Sequence, residues 1–457
     1  MNPPPVTSAA ALMRPGSETP DSTINRDLLR VMERPTLRYW ALLGLAVLTV
    51  VYGISVFLYQ TYVGMGVAGY THPIFWGVYI VTFVFWVGIA HAGTLISAIL
   101  YLFRSKWRNA INRSAEAMTV FAVATAGLFP LIHLGRIWRA YWLLPYPNQR
   151  GLWPNFKSPL LWDVFAISTY ATISIVFFYV GLVPDIAIAR DRAKGWRKIL
   201  YSALALGWHG TSRQWKSHNR TVLHLSGLAT PLVLSVHSVV SWDFAMSIVP
   251  GWHATIFAPY FVAGAIFSGF AMVLTIMIPV RRIYGLEKYI TDYHFDNMAK
   301  FILLTSLIVG YAYCIEYFVA WYSMVEPEQT AFWLRAFGPY VISTWIMISC
   351  NAIVPQIFWF KRARTHVPTI FIVAFLINIG MWFERYVIIV GSLSREYVTA
   401  VWNTYTPSWV ELSILAWSFA WFGMFFIIFL KLFPVIAIAE MKELAIHDKA
   451  HGKGGAH

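Results

Sequence analysis

Residues 74–103 read IFWGVYIVTFVFWVGIAHAGTLISAILYLF and contain no Asp, Glu, Lys or Arg. The hydrocarbon core of a bilayer is about 30 Å thick, so a helix rising about 1.5 Å per residue crosses it with about 20 apolar residues. This stretch therefore predicts a membrane-spanning helix, with His91 near its middle.

The rest of the chain repeats this pattern. Of its 457 residues, 58% are hydrophobic and only 12% are charged, whereas a soluble protein of this length needs more charge to cover its surface. We predict an all-α polytopic membrane protein with ten transmembrane helices. Their approximate bounds are 39–62, 74–103, 117–143, 160–189, 221–248, 254–281, 297–324, 335–360, 367–391 and 411–438.

The distribution of basic residues predicts the orientation. If the first span runs from inside to outside, 28 of the 35 Lys and Arg residues lie in inner segments, at alternate loops along the chain. This is the positive-inside pattern, which places both termini in the cytoplasm. It also accounts for the net charge of +14 without a nucleic-acid partner.

Three regions follow from these spans. Residues 1–38 form a cytoplasmic tail that we expect to be largely disordered, because its first part is rich in Pro, Ser and Thr. Residues 39–440 form the membrane domain, and 441–457 a cytoplasmic C-terminal tail. A faint repeat, ISTY at 167–170 and ISTW at 342–345, favours two four-helix bundles made of spans 2–5 and 6–9, with spans 1 and 10 flanking.

No metal site is expected. Cys314 and Cys350 both lie inside spans, and no CxxC or cysteine cluster is present. A di-haem cytochrome b needs two histidine pairs on two helices, and only His224 and His237 in span five are suitably spaced. We therefore expect neither haem nor an iron–sulfur cluster on this chain.

Ionisable side chains are costly inside a membrane and call for an explanation. Those of this chain concentrate in the predicted outer third, and we expect the inner half to be poor in them apart from span-end residues such as Asp185. His133 and Arg136 lie in the outer part of span three, three residues apart and so on one predicted helical face, and Asp163 lies at the start of span four. Oxidation of a quinol needs two proton acceptors, and a His and an Asp facing each other across a pocket would supply them. The alternative is a polar pair that only joins two helices.

Other polar groups are harder to assign. His237 and Asp243 in span five are six residues apart and so lie on different faces of an undistorted helix. They suit a proton path better than one site, and the alternative is two separate polar contacts within a bundle. His91 suits a hydrogen-bonded core histidine, and Glu384 with Arg385 suits a buried ion pair.

The sequence resembles the NrfD/PsrC family of membrane subunits, and within it the ActC-type subunits of alternative complex III. The segments that carry the resemblance are HPIFWGVYIVTFVFWVGIAHAGTLISAILYLFRSKWRNAINRSAEAMTVFAV (72–123), HLGRIWRAYWLLPYPN (133–148), WPNFKSPLLWDVFAISTY (153–170) and VHSVVSWDFAMSIVPGWHATIFAPYFVAGAIFSG (236–269). The paralogous ActF-type subunits share the fold.

The resemblance implies quinol oxidation near the periplasmic face of a bacterial inner membrane, with menaquinol the expected substrate. Its catalytic residues would be His133 and Asp163. Quinol would be bound by Arg136, Thr94, Tyr170 and His91. Protons would pass along His237, Asp243, His253 and Glu316.

The resemblance also implies partner subunits, and it leaves alternative functions open. Electrons would pass to a periplasmic iron–sulfur, molybdopterin-like subunit and multihaem cytochrome c subunits, in a complex with a second NrfD-like subunit, small membrane subunits and lipids. Proton translocation stays open. The main rival is the quinone-reducing membrane anchor of a molybdopterin oxidoreductase of the polysulfide reductase type. A transporter and a purely structural anchor are further alternatives.

Overall fold

The computed structural model describes residues 20–33, 35–144 and 156–450. Within these residues, ten helices are long and apolar enough to cross a membrane, which confirms the predicted number of spans. We number them α1 to α10. They are Leu37–Val63, Val78–Leu102, Asn112–His133, Pro159–Arg192, Ser212–Ala245, Phe257–Tyr284, Asp292–Tyr322, Val341–Trp359, Val367–Leu393 and Trp409–Leu432.

Helix α3 ends ten residues before the predicted bound of 143. It stops at His133, because Gly135 takes a left-handed φ of 69° and turns the chain away. The apolar residues that follow form a separate 3₁₀ segment, Ile137–Leu143. Apolar composition alone does not distinguish this segment from a further helical turn.

Helices α8 and α10 also differ from their predicted bounds, both at prolines. The residues before α8 form a separate helix, Glu326–Phe337, and α8 itself begins at Val341, just after Pro339. Helix α10 ends at Leu432 instead of 438, because Pro434 cannot continue the hydrogen-bond ladder.

Helix α2 is the centre of the packing and is almost completely buried. It packs along α3, α5, α6 and α9. Two glycines allow this close approach: a Cβ at Gly93 would collide with the backbone of Ala115, and a Cβ at Gly269 would collide with the side chain of Ala92. The ionisable groups of α2 therefore lie inside the protein, away from lipid.

The remaining contacts form two neighbouring groups. Helices α4 and α5 pack together beside α2 and α3, while α7 and α9 pack on α6 and α8 packs on α7 and α9. Helix α1 packs mainly on α10. The division into two repeated bundles, like the predicted orientation, stays a prediction.

Both predicted tails contain helix. Pro20–Leu29 continues into the 3₁₀ turn Arg30–Met32 and packs against a C-terminal helix, Ile438–Ala450. A further short helix, Trp196–Leu204, follows α4 and is called the surface helix below. The predicted disorder of residues 1–19 lies outside the described residues.

Candidate functional site

His133 and Arg136 do not share a helical face, so that prediction is wrong. His133 is the last residue of α3, whereas Arg136 follows the turn at Gly135 and is exposed. The half-buried His133 ring lies edge-on to Tyr70, whose hydroxyl is 3.1 Å from its Nδ1 atom. Burial, followed by the negative charge of Glu411, raises the pKa of Tyr70 well above its usual value. Tyr70 therefore keeps its proton and holds the imidazole in one orientation.

Asp163, which is buried, and Asp243, which is half-buried with its Oδ1 atom shielded from solvent, form an acid pair that the sequence did not predict. Their carboxyl groups interact directly, which joins the start of α4 to the end of α5. Asp163 is only 6% exposed, and one oxygen of each residue, Oδ1, has no hydrogen-bond partner. Two carboxylates in contact and away from water cannot both be charged without a large cost. The pair therefore holds a proton between its members and keeps acceptor positions open.

Asp163 is not hydrogen-bonded to His133. Among the described residues, no hydrogen bond or ion pair joins these two side chains. Residues 145–155 of the connection between α3 and α4 lie outside the described residues. The predicted pairing of His133 with Asp163 across a quinol ring therefore stays a prediction.

His91, Tyr170 and His237 form a stack in the middle of the protein. The His91 ring lies on the Tyr170 ring with centroids 4.3 Å apart and planes 17° apart, and the His237 ring is 4.8 Å from His91. His91 Nδ1 is bonded to the carbonyl of Val87 at 2.6 Å. Its Nε2 atom and both ring nitrogens of His237 have no partner. Three buried nitrogens that could exchange protons therefore lie close together.

Hydroxyl groups continue this stack on one side. The Tyr170 hydroxyl donates to the carbonyl of Ala90 at 2.7 Å and lies 3.1 Å from Thr94 Oγ1. Thr94 Oγ1 is in turn 3.2 Å from Ser174 Oγ, and Thr119 Oγ1 donates to the same Ala90 carbonyl at 2.8 Å. These hydroxyl groups form a connected layer between α2, α3 and α4.

The space beside the stack is narrow. The crevice next to His91 and His237 holds about 170 Å³ of unfilled space, none of it wide enough for the centre of a water molecule. A quinol ring cannot enter it. This crevice therefore offers no room for a quinol ring against His91, and the predicted quinol contacts of His91, Thr94 and Tyr170 stay predictions.

A second buried ionic cluster lies at the opposite end of the same helices, where the sequence analysis expected few such groups. Arg113, near the start of α3, bonds Glu116 at 2.9 Å and Asp185 of α4 at 3.1 Å, and all three are buried. Its guanidinium also donates to the carbonyl of Gly181 at 2.6 Å. The i, i+3 spacing of Arg113 and Glu116 was the available signal. Because Arg113 lies at the very start of α3, next to the basic inner loop, its sequence position alone did not distinguish it from a loop charge.

This cluster borders a large cavity. The cavity has a volume of about 500 Å³ and is lined by Arg113, Glu116 and Asp185 together with His218 and Glu440. Water can therefore reach the edge of the buried cluster from the predicted inner side.

A separate polar cluster lies among α6 to α9. The Glu384 carboxylate accepts the Tyr313 hydroxyl and pairs with Arg385, which confirms the predicted ion pair. Asn351, in a π-helical turn of α8, donates to the Tyr313 oxygen at 2.9 Å. The hydroxyl of Tyr260 has no partner.

The four residues of the predicted proton path are not brought together. His237 and Asp243 belong to the features already described. Glu316 belongs to the cluster among α6 to α9, where it interacts with Glu384 and Arg335. His253 is exposed in the loop before α6, and its Nδ1 atom lies 3.1 Å from the carbonyl of Ser247.

In the described part of the chain, no group of three or more His, Cys, Asp or Glu side chains is arranged to hold a metal ion. The acid pair, the histidine stack, the hydroxyl layer and the cluster at Glu116 contain carboxyl, imidazole and hydroxyl groups, all of which exchange protons. These groups are therefore of types that can accept and pass on protons.

Comparison with known proteins identifies the family. A family model described as polysulphide reductase, NrfD, matches residues 66–395, well over half of the chain. A putative dimethyl sulfoxide reductase membrane subunit from Halobacterium salinarum is 26% identical over 404 residues, which cover 81% of this chain and 86% of that protein. A selenate reductase subunit from Mesobacillus selenatarsenatis is 23% identical over 292 residues, 62% of this chain and 66% of that protein. The chain is a multi-pass membrane protein that belongs to the polysulphide reductase NrfD family.

Proposed function

We propose that this chain is the quinone-reacting membrane subunit of a reductase complex. Quinol is oxidised at the predicted outer ends of α3, α4 and α5, and the electrons pass to a catalytic partner subunit. The observation that carries this proposal is the buried Asp163–Asp243 pair, because both residues keep a carboxyl oxygen without a partner. Such a pair can accept a proton in addition to joining α4 to α5.

The side chains at this end of the protein can accept both protons that quinol oxidation releases. A quinol that becomes a quinone gives up two electrons and two protons. His133, oriented by Tyr70, accepts one proton, and the Asp163–Asp243 pair accepts the other. The electrons leave to a redox centre of a partner subunit. The exposed Arg136 is available beside the helix end for a polar contact to a quinone oxygen.

The relatives favour a reductase partner over alternative complex III. Both are named as subunits of reductases, of dimethyl sulfoxide in one case and of selenate in the other. By this similarity we expect catalytic and iron–sulfur partner subunits. Multihaem cytochrome c subunits and a second NrfD-like subunit belong to the rival assignment, which our proposal does not adopt.

The interior groups extend the proposal to proton transfer. On α4, Asp163, Tyr170, Ser174, Gly181 and Asp185 recur at spacings of seven, four, seven and four residues, so they share one helical face. Since each residue rises about 1.5 Å, this face spans about 33 Å, close to the thickness of a bilayer core. We propose that the histidine stack and the hydroxyl layer belong to this polar face of α4 and take part in proton transfer along it.

Purification of the complex from its own membrane tests the proposal. We expect the chain to co-purify with a reductase subunit and with bound quinone in a near-stoichiometric amount. The bound quinone should be lost in His133→Phe and kept in the control Asp191→Asn, which alters an exposed carboxylate at the other end of α4. A purified complex without quinone and without quinol-dependent reduction contradicts the proposal.

A further inference from the structure

A basic pocket lies far from the acid pair, at the end of α4 that carries Arg192. It is enclosed by the N-terminal helix Pro20–Leu29 with its 3₁₀ turn, by the end of α4 and by the surface helix Trp196–Leu204. Its volume is about 250 Å³. The proposed quinone reaction makes no use of it.

The charged lining of this pocket is strongly unbalanced. Its charged lining residues are Arg26, Arg192, Arg197 and Glu33, and of the three arginines Arg26 interacts with another part of the chain. Within the described residues, Arg192 and Arg197 form no ion pair with a carboxylate. Arg197 is held in place by a 2.9 Å hydrogen bond to the carbonyl of Met32. The pocket therefore carries an excess of positive charge, and the Arg197 side chain that contributes to it is fixed in position.

A buried lysine adds to this charge from behind. Lys431 near the end of α10 is only 8% exposed, and its ammonium group donates to the carbonyl of Val31 at 2.7 Å. It interacts electrostatically with both Arg197 and Glu33. Lys431 and Arg197 repel each other, and the single carboxylate of Glu33 cannot neutralise both of them together with Arg192, so a further anion is favourable here. This arrangement favours a negatively charged ligand.

The surroundings indicate where that ligand comes from. On the surface helix beside the pocket, Trp196 is 61% exposed and Ile199 is 75% exposed, and the guanidinium of Arg197 lies 5.6 Å from the Trp196 ring. At the start of α1, Leu37 is also largely exposed. Exposed aromatic and aliphatic side chains next to basic ones are typical of helices at the membrane interface. The pocket thus lies at the depth of lipid headgroups, with apolar surface beside it for acyl chains.

We propose that this pocket binds the headgroup phosphate of an anionic phospholipid, whose acyl chains lie along the adjoining apolar side chains. Guanidinium groups bind phosphate through paired N–H donors, which a single lysine cannot reproduce. Bound there, the phosphate joins the N-terminal helix to α4 and to the surface helix. This inference does not depend on the proposed quinone reaction.

Lipid analysis of the purified complex tests this proposal. Arg192 is exposed and makes no bond to the rest of the described chain, so Arg192→Ser should leave the fold intact. The complex is extracted in a mild detergent, and the anionic phospholipid retained per chain is measured by mass spectrometry. We expect about tenfold less retained lipid in Arg192→Ser, because one charge-assisted bond to phosphate is lost. The control Arg213→Ser removes an exposed arginine at the start of α5, on the same predicted face, and should retain the wild-type amount.

A second measurement separates lipid from free phosphate. Delipidated complex is heated with vesicles of phosphatidylglycerol, with vesicles of phosphatidylcholine, or with inorganic phosphate at an equal phosphate concentration. We expect stabilisation by phosphatidylglycerol alone, and less of it for Arg192→Ser. Equal lipid retention in Arg192→Ser and wild type, or equal stabilisation by inorganic phosphate, would overturn the proposal.

Discussion

Replacing Asp163 by asparagine is a nearly isosteric change that removes one proton acceptor from the buried acid pair. The asparagine amide can still hydrogen-bond Asp243, so the contact between α4 and α5 should persist. If the pair accepts a quinol proton, Asp163→Asn removes catalysis without removing the helix contact. If the pair only joins two helices, the activity should hardly change.

The expected magnitude follows from the number of acceptors at this end of the protein. A positioned general base contributes about 10²- to 10⁴-fold to a rate. His133 remains in Asp163→Asn, so we expect the low end, about 10²-fold, or about 2.7 kcal/mol of activation free energy. In Asp243→Asn the carboxylate of Asp163 remains and gains an amide donor, and we expect a decrease of about tenfold or less. The double variant should be no slower than Asp163→Asn, because Asp243 acts through its partner.

The assay is steady-state oxidation of a quinol analogue by the purified complex, with an artificial electron acceptor to remove any dependence on the partner's own substrate. Asp191→Asn makes the same substitution on the exposed end of α4 and should match wild type. Co-purification of the partner subunits in each variant shows that assembly is unchanged. An intact Asp163→Asn complex within threefold of the wild-type rate would refute the reasoning. So would a double variant whose loss equals the product of the single losses.

Three further outcomes follow from the described contacts. Tyr70→Phe removes the hydroxyl 3.1 Å from His133 Nδ1, and we expect about a tenfold lower rate of quinol oxidation with little change in the amount of assembled complex. Arg113→Leu leaves two buried carboxylates without their cation at a cost of about 3–5 kcal/mol, so a thermal assay in detergent should show a lower midpoint or little assembled complex. Cysteines introduced at Glu328 and at Arg213 should be labelled by an impermeant reagent from opposite sides of the membrane, and labelling from one side contradicts the predicted orientation.

The number of helices was predictable because hydropathy over about 20 residues responds directly to the thickness of the bilayer. The ends of helices were less predictable because they depend on single residues. The stretch after His133 is apolar enough to prolong α3, but the left-handed φ of Gly135 ends the helix there. That conformation is set by local backbone geometry and not by hydropathy.

The candidate site was predicted in parts. Asp163 and Asp243 were each recognised as polar residues near span ends, but their contact was not, since 80 residues separate them and like charges give no reason to expect a pair. The stacking of His91 on Tyr170 could likewise not be predicted from the sequence, because it depends on how α2 packs against α4. Residue type shows which groups can exchange protons, whereas packing decides which of them meet.

A density map of the intact complex with a quinone or a quinone-site inhibitor bound tests the central claim most directly. We predict a ring at the outer ends of α3 and α4, with one oxygen within about 3 Å of the Asp163 carboxyl group, a hydrogen-bond distance. A ring bound elsewhere, for example beside Glu384 in the cluster among α6 to α9, with the Asp163–Asp243 pair closed and out of reach, would contradict the account.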